Sequence, residues 1–258
     1  MHAVDMDHID TWPAKITSFL ALHSKELRTE READHRYTLS PSTYRMMHDS
    51  PPPMPRWNSA KRLIEEEMTD RDVIAFHATR LIDFNHVRQD GLIKLDLSQH
   101  IQRLKRHLQD AGALEELEEV DAAVAKMLEA DSWFIKREGA VWATPHRSSL
   151  HDGGCDVFYE SYGGEAIERI AGYARGKLAK SLTLLGTPAV VVLRYPAYGD
   201  YWCKFTTGRL PQTMIELYLK AEGDWEAMDY GWDVMIERDV PPDHIIAVVP
   251  LKDPSLAA

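Results

Sequence analysis

The hydrophobic positions of the chain follow two spacings, which predict helices in some segments and strands in others. Apolar residues recur every three or four positions over residues 8–35, 59–68 and 97–128, as on amphipathic helices. Short apolar runs rich in β-branched residues predict strands. These runs cover residues 73–76, 92–95, 139–145, 188–196 and 245–249, and residues 234–237 alternate as on a half-buried strand. The pattern therefore predicts an α+β protein.

Prolines and helical segments predict how the chain is organised into domains. Residues 38–56 contain five prolines, so they predict a partly extended connector and not a regular helix. We therefore expect residues 1–56 to form an N-terminal helical extension with this connector, and residues 57–258 to form the main domain. Within that domain, residues 97–137 predict a helical hairpin inserted between strands, with Ser98 as the N-cap of its first helix.

The strand that begins at Asp72 leads directly into polar residues that are suited to binding. Its apolar run is followed by His77, Thr79 and Arg80 without an intervening turn. Because side chains alternate across a strand, His77 and Thr79 are expected to project from the same face. An imidazole beside a hydroxyl on a rigid element can hold a ribose or an amide in one orientation. A structural histidine at the end of a strand is the alternative reading.

The charge balance argues against broad nucleic-acid binding. The 258 residues include 30 basic and 41 acidic side chains, for a net charge of −11. Such a chain repels a phosphate backbone unless its cations are concentrated locally. One basic cluster stands at Arg103, Lys105, Arg106 and His107. Because glutamates follow it, we interpret this cluster as the solvated face of a helix.

Cysteine usage and the N-terminus predict a cytosolic protein. Cys155 and Cys203 are the two cysteines, which is too few for a disulfide framework. The N-terminus is acidic, whereas a secretory signal is basic and then apolar. The sequence has no apolar run of membrane-spanning length. We expect no association with a membrane.

The strand with His77 resembles the opening of the ADP-ribosyltransferase fold. Phe76-His77-Ala78-Thr79-Arg80, followed by Asp90-Gly91-Leu92, is similar to the His-x-Thr motif, short helix and Gly-Leu of that family. Ala78 departs from the glycine that is common in the motif. The resemblance implies a split core of two small sheets, with NAD as a substrate. It implies that His77 binds the adenosine-side ribose and acts in catalysis, with Thr79 and Arg80 in the cofactor site.

The resemblance extends to an aromatic residue and to a late carboxylate. Trp142, Tyr159 and Tyr162 are the candidates for the side chain that stacks on nicotinamide, and the sequence does not choose among them. Glu237 resembles the catalytic glutamate of a late strand. The residues Arg-Asp and then Val-Pro-Pro follow it. Asp233 is the alternative acid.

The polar loop of residues 146–156 contains residue types that suggest a zinc site or a catalytic thiolate. His146, His151 and Cys155 are types of residue that bind zinc, but their spacing lacks a paired motif and a fourth ligand. Cys155 beside His151 could also be a thiolate nucleophile with its base. No metal site is expected.

The resemblance implies an NAD-dependent enzyme of the glycosyltransferase class that moves ADP-ribose to a protein or nucleic-acid acceptor. A toxin or effector role, with an antitoxin or inhibitor protein as partner, goes with that expectation. Two alternatives stay open: a non-catalytic binding module on the same fold, and an enzyme of the RNA 2′-phosphotransferase kind. The latter needs a basic phosphate pocket, and the acidic sequence shows no concentrated set of arginines beyond Arg71, Arg80 and Arg88.

Overall fold

A computed structural model describes residues 3–39, 51–130, 138–151, 155–174, 176–198, 206–224 and 234–252. The described residues form nine α-helices. In chain order these are Ala14–Leu39 (α1), Pro55–Met68 (α2), Phe84–Asp90 (α3), Leu97–Asp110 (α4), Leu114–Ala130 (α5), Asp156–Glu160 (α6), Gly164–Tyr173 (α7), Lys177–Leu184 (α8) and Thr206–Ala221 (α9). Among these residues, no helix is long and apolar enough to cross a membrane.

Five strands in the described part of the chain form two small antiparallel sheets. They are Asp72–Leu81 (β1), Val141–Ala143 (β2), Thr187–Pro196 (β3), Val234–Ile236 (β4) and Ile245–Pro250 (β5). One sheet has the order β1-β3-β5, and the other pairs β2 with β4. Helices and two small sheets confirm the mixed architecture that the hydrophobic pattern predicts.

The chain groups into two compact units. The first contains residues 1–73, 196–200 and 205–230, and the second contains residues 74–195, 201–204 and 231–258. In the first unit Arg31 of α1 is buried, and its Nη2 lies 2.9 Å from the Asp224 carboxylate beyond α9. Glu30 accepts hydrogen bonds from the first backbone N–H groups of α2. The division of the sequence at residue 56 stays a prediction.

The second unit has a helical core and a sheet core. The helical core packs α4 and α5 against α7 and α8 through buried residues that include Leu104, Leu108, Met127, Ile167 and Leu182. The two helices predicted for residues 97–137 are thus present, with residues 131–137 outside the described part. The sheet core gathers side chains around β1 and β3, among them Phe76, Ala78, Leu150, Tyr159 and Val190.

Two local predictions are wrong. Residues 92–95 do not form a regular strand. Leu92 makes an isolated bridge to Val240, and Leu95 forms backbone hydrogen bonds with Gly139 and Ala140. The N-cap of α4 is Asp96 and not Ser98, since the Asp96 carboxylate accepts a hydrogen bond of 2.9 Å from the N–H of Gln99. Aspartate at this position satisfies a free N–H of the first turn as well as serine does.

Gly91 permits the bridge between Leu92 and Val240. Its backbone has φ +80° and ψ −162°, a region that only glycine occupies readily. A Cβ at this position would lie 2.0 Å from the carbonyl oxygen of Val240. The predicted Gly-Leu pair is therefore required by a close approach of two backbone segments.

We expect Gly91→Ala to lower the free energy of unfolding by about 3 kcal/mol or more, because backbone strain and steric overlap add. Gly112→Ala is the matched control, since Gly112 also has a positive φ of 73° but has no atom within 4 Å of the added Cβ. It should cost only about 1 to 2 kcal/mol. Chemical denaturation measures both values, and equal losses would show that the contact with Val240 is unimportant.

Candidate functional site

The second unit contains a cavity of about 480 Å³. Small-molecule sites in proteins have volumes of roughly 300 to 1,000 Å³. The described segments that line it are the C-terminal half of β1, α3 with the turn at Gly91, one face of α4, β2, and the start of α7. These segments come from four separate parts of the sequence, so the cavity exists only in the folded chain.

The face of β1 that carries His77 and Thr79 lines the cavity. Both side chains are half-buried, whereas Phe76 and Ala78 on the alternate positions are buried in the sheet core. The alternation expected from the sequence is confirmed here. Phe76 and Ala78 pack with Val190 of the neighbouring strand. Because side chains alternate along β1, His77 and Thr79 then face the cavity.

The imidazole of His77 is held in one tautomer. Its Nδ1 lies 2.6 Å from the carbonyl oxygen of Trp142. Because a carbonyl only accepts hydrogen bonds, Nδ1 carries the proton and Nε2 is left as an acceptor. Burial lowers the pKa of His77, and the hydrogen bond to Trp142 opposes this only in part. His77 is therefore neutral at neutral pH, with an acceptor that a ribose hydroxyl can use.

Two of the three candidate aromatic residues lie at the cavity. Trp142 of β2 is half-buried and lines it, as does Tyr162 before α7. Tyr159 is different: its ring is buried in the sheet core, and it is not among the described lining residues. Burial raises the pKa of Tyr159, whose hydroxyl has no hydrogen-bond partner among the described residues. The structure thus favours Trp142 or Tyr162 for stacking.

Arg80 lines the cavity but its guanidinium binds the backbone. Its Nε donates to the carbonyl of Leu185 at 2.8 Å and its Nη1 to that of Tyr159 at 2.6 Å. Its Nη2 donates to the carbonyls of Thr183 and Gly186 at 2.9 and 2.8 Å. A guanidinium has five N–H donors, and four are used in these bonds. Arg80 therefore closes the C-terminal end of α8 onto β1.

Glu237 lies beside the wall of the cavity. It directly follows β4 and is half-buried, but it is not among the described residues that line the cavity. Ile236 lies opposite Val141 in the pairing of β4 with β2. One further step in this register brings Glu237 opposite Ala140, which does line the cavity. Asp233, the alternative acid, lies outside the described residues.

Sequence reasoning missed a concentration of cations at the cavity. Arg103, Arg106 and His107 of α4 line it together with His86 of α3 and His100 of α4. The solvated helix face predicted for Arg103, Lys105, Arg106 and His107 agrees with the exposure of Arg106, but it did not place Arg103, Arg106 and His107 at a cavity. Leu104 and Leu108 are buried in the helical core, and this packing fixes which side of α4 faces the cavity. The i, i+3, i+7 spacing of His100, Arg103 and His107 was the available signal.

His100 connects α4 to the start of α7. Its Nε2 lies 3.2 Å from the carbonyl oxygen of Gly163, so Nε2 donates and Nδ1 is an acceptor. Arg103 Nη2 lies 3.4 Å from this Nδ1. Burial and, secondly, the charge of Arg103 lower the pKa of His100 to about 4, and the bond to Gly163 opposes them. His100 is neutral above that pH.

The loop with His146, His151 and Cys155 is not assembled as a metal centre in the described part. His146 is buried, Cys155 is half-buried and His151 is exposed. No group of three or more His, Cys, Asp or Glu side chains that could hold a metal ion is found among the described residues. Residues 152–154 of this loop lie outside them.

The cavity therefore unites His77, Thr79, Arg80, Trp142 and Tyr162 of the predicted site. Tyr159 and Glu237 lie next to it. No protein-family model matches the chain, and neither a curated protein nor a solved structure matches it. The function is therefore inferred from the geometry of this cavity.

We expect Arg80→Lys to lower the free energy of unfolding by about 2 to 3 kcal/mol. A lysine cannot reproduce the planar fork, so backbone carbonyls near α8 lose their partners. Arg106→Lys is the control, because Arg106 is exposed. Its stability should match the wild type within about 0.5 kcal/mol. Denaturation by urea tests this, and an unchanged Arg80→Lys protein would contradict a structural role.

The lowered pKa of His100 makes stability depend on pH. The unfolded chain, with a histidine pKa near 6.5, takes up the proton before the folded chain does, whose value is about 4. Stability from this group is therefore complete above pH 6.5 and is lost as the pH falls toward 4, by roughly 3 kcal/mol in total. We expect His100→Gln to lose less stability than the wild type between pH 7 and pH 4.5.

Denaturation at both pH values measures this difference. His35→Gln is the control, since His35 is an exposed histidine of α1, and it should retain the pH dependence of the wild type. An identical pH dependence in wild type and His100→Gln would show that His100 is not buried in its neutral form.

Proposed function

We propose that the protein is an NAD-dependent ADP-ribosyltransferase with a fold of that family, and that it binds NAD in the cavity. The main observation in support of the proposal is that three elements lie side by side. His77 lies on β1, Trp142 on β2, and Glu237 directly after β4. Phe76 of β1 bridges to Thr144 just after β2, and β2 pairs with β4.

The spacing of these elements suits a ribose. Neighbouring strands lie about 4.8 Å apart, so β1 and β4 on either side of β2 are separated by about 10 Å. Trp142 pairs with Met235 on one face of this sheet. If β4 is continued by one residue, alternation places Glu237 on that same face. An imidazole and a carboxylate would then flank the groove in which Trp142 stands.

Each residue has a role that its chemistry permits. Nε2 of His77, an acceptor in the observed tautomer, would accept a hydrogen bond from a ribose hydroxyl of the adenosine half. The hydroxyl of Thr79 on the same face would help to orient the cofactor. Trp142 or Tyr162 would stack on the nicotinamide ring. Arg80 contributes by fixing the end of β1 and not by a direct ionic contact.

The reaction breaks the bond between ribose C1′ and the nicotinamide nitrogen. The electron pair of this bond leaves with nicotinamide, which becomes neutral, and positive charge develops on the sugar. The carboxylate of Glu237 would stabilise that charge and accept a hydrogen bond from the 2′-hydroxyl. A nucleophilic oxygen or nitrogen of the acceptor then bonds to C1′ and loses its proton. A protein or nucleic-acid acceptor, and an antitoxin or inhibitor partner, stay predictions.

An RNA 2′-phosphotransferase is the second candidate, and the cations at the cavity favour it. The sequence spreads its arginines widely, but folding brings Arg80, Arg103 and Arg106 to one cavity. Arg71 and Arg88 are used elsewhere, in hydrogen bonds to the carbonyls of Glu67 and Val248. Such an enzyme would transfer the 2′-phosphate of RNA to an acceptor group, and Arg103 and Arg106 would hold that phosphate.

We expect the wild-type protein to bind NAD at millimolar concentration or below and to release nicotinamide, measured by chromatography. Glu237→Gln should slow this release by about 100-fold or more, because the amide cannot stabilise positive charge on the sugar. Glu129→Gln is the control, since Glu129 is an exposed carboxylate of α5 in the same unit. It should release nicotinamide at the wild-type rate.

The outcomes separate the candidates. Release without a nucleic acid supports the transferase, and mass spectrometry of the modified material then identifies the acceptor. Loss of phosphate from a 2′-phosphorylated oligoribonucleotide that requires NAD supports the phosphotransferase. NAD binding without release in either assay indicates a non-catalytic module. If Glu237→Gln retains the wild-type rate, the assignment of Glu237 is wrong even if the cavity binds NAD.

A further inference from the structure

The cavity carries a charge opposite to that of the chain. The protein has a net charge of −11, yet three arginines line the cavity, with Asp83 as the one acidic residue among the described lining residues. His77 and His100 also line it, but both are neutral at neutral pH. The carboxylate of Asp83 accepts a hydrogen bond of 2.8 Å from the N–H of Asn85 and caps α3. A concentration of cations in a concave site raises the local affinity for anions.

Four of the lining residues, which we call the cationic wall, come from two helices: His86 of α3, and Arg103, Arg106 and His107 of α4. Arg103 and Arg106 supply its permanent charge, because His86 Nδ1 lies 2.8 Å from the Asp90 carboxylate and the pKa of His107 is lowered. The pKa of His107 reflects the proximity of these residues. Burial is the largest cause of its lowered pKa. Asp110 opposes this, while Arg106, Arg103 and His86 lower the pKa further. An anion bound beside Arg103 and Arg106 would receive charge-assisted hydrogen bonds from both guanidinium groups.

The arginines of the cationic wall are not neutralised by the described protein. Neither Arg103 nor Arg106 forms an ion pair with a described residue, whereas Lys105 on the same helix pairs with Asp121 of α5. The Nε of Arg103 is buried and has no hydrogen-bond partner among the described residues. A buried donor of a charged group without a partner costs about 1 to 3 kcal/mol or more. An anionic oxygen from a ligand would remove that cost.

The start of α7 adds donors on the opposite side. His100 is bonded to Gly163 and lies one turn before Arg103, so Arg103 is held close to this helix end. The N-cap Gly163 has φ +83° and no side chain to cap the first turn. Gly163, Gly164 and Ala166 line the cavity. Backbone N–H groups and the helix dipole at such an end favour phosphate.

We propose that the cationic wall is a subsite for the diphosphate group of a nucleotide. This inference deepens the proposed function, on which it rests for the choice of nucleotide, and it gives the helical insertion a direct part in binding. A cavity of about 480 Å³ has the size of a site for a small molecule. The acidic surface of the rest of the chain opposes a longer polyanion, so a nucleotide is favoured over a nucleic acid.

The test compares the binding of adenosine, ADP, ADP-ribose and inorganic pyrophosphate by calorimetry. We expect the wild type to bind ADP and ADP-ribose at least about tenfold more tightly than adenosine, since each charge-assisted hydrogen bond contributes about 1.5 to 3 kcal/mol. The variant Arg103→Gln/Arg106→Gln should lose this preference. Lys105→Gln, which removes a cation from the same helix outside the cavity, should keep it.

Several results would overturn the subsite. These are equal affinities for adenosine and ADP in the wild type, an undiminished preference in the double variant, and no binding of ADP or pyrophosphate at millimolar concentration. Tight binding of an oligoribonucleotide with weak binding of ADP would also contradict a nucleotide subsite. If the double variant does not fold, Arg106→Gln at an exposed position carries the test, with an expected loss of about threefold.

Failure of the subsite and failure of the proposed function are distinguishable. If the wild type prefers ADP through Arg103 and Arg106 but releases no nicotinamide from NAD, the subsite stands and the transferase is wrong. If nicotinamide is released with the same apparent affinity for NAD in wild type and the double variant, the transferase stands and the subsite is wrong.

Discussion

The paired hydrogen bonds between Phe76 and Thr144 are the constraint on which the site depends. Each residue donates its N–H to the carbonyl of the other, at 2.7 and 2.9 Å, which links the sheet that contains β1 to the sheet that contains β2. One residue further on, the side chain of His77 binds the carbonyl of Trp142, which lies two positions before Thr144. The two sheets therefore separate at His77, and the cavity opens where the backbone ladder ends.

Arginine has two distinct functions around this cavity. Arg80 gives three of its N–H groups to backbone carbonyls at the end of α8 and one to the carbonyl of Tyr159 in α6, and so joins these segments to β1. Arg103 is held by the packing of its own helix and keeps a buried Nε without a described partner. The hydrogen bonds of the first are complete in the folded protein, whereas the second is the residue to which we assign an anion. The two arginines are thus distinguished by their hydrogen bonds in the described structure.

The sequence predicts local features of the site well and its assembly poorly. Strand alternation placed His77 and Thr79 on one face, because that period is a property of the backbone itself. The role of Arg80 was not predictable, since its partners lie about one hundred residues away. Nor was the side of α4 that carries Arg103, because the burial of Leu104 depends on α7 and α8. Tyr159 and Tyr162 are equivalent in the sequence, and only packing separates them.

A crystal structure of the protein with ADP-ribose tests the central claim most directly, because ADP-ribose joins every group that the cavity is proposed to bind. The account predicts a ribose hydroxyl within hydrogen-bond distance of Nε2 of His77, and diphosphate oxygens on Arg103 or Arg106 near the start of α7. Ligand bound at another surface, or bound in the cavity with its diphosphate turned away from α4, would contradict it.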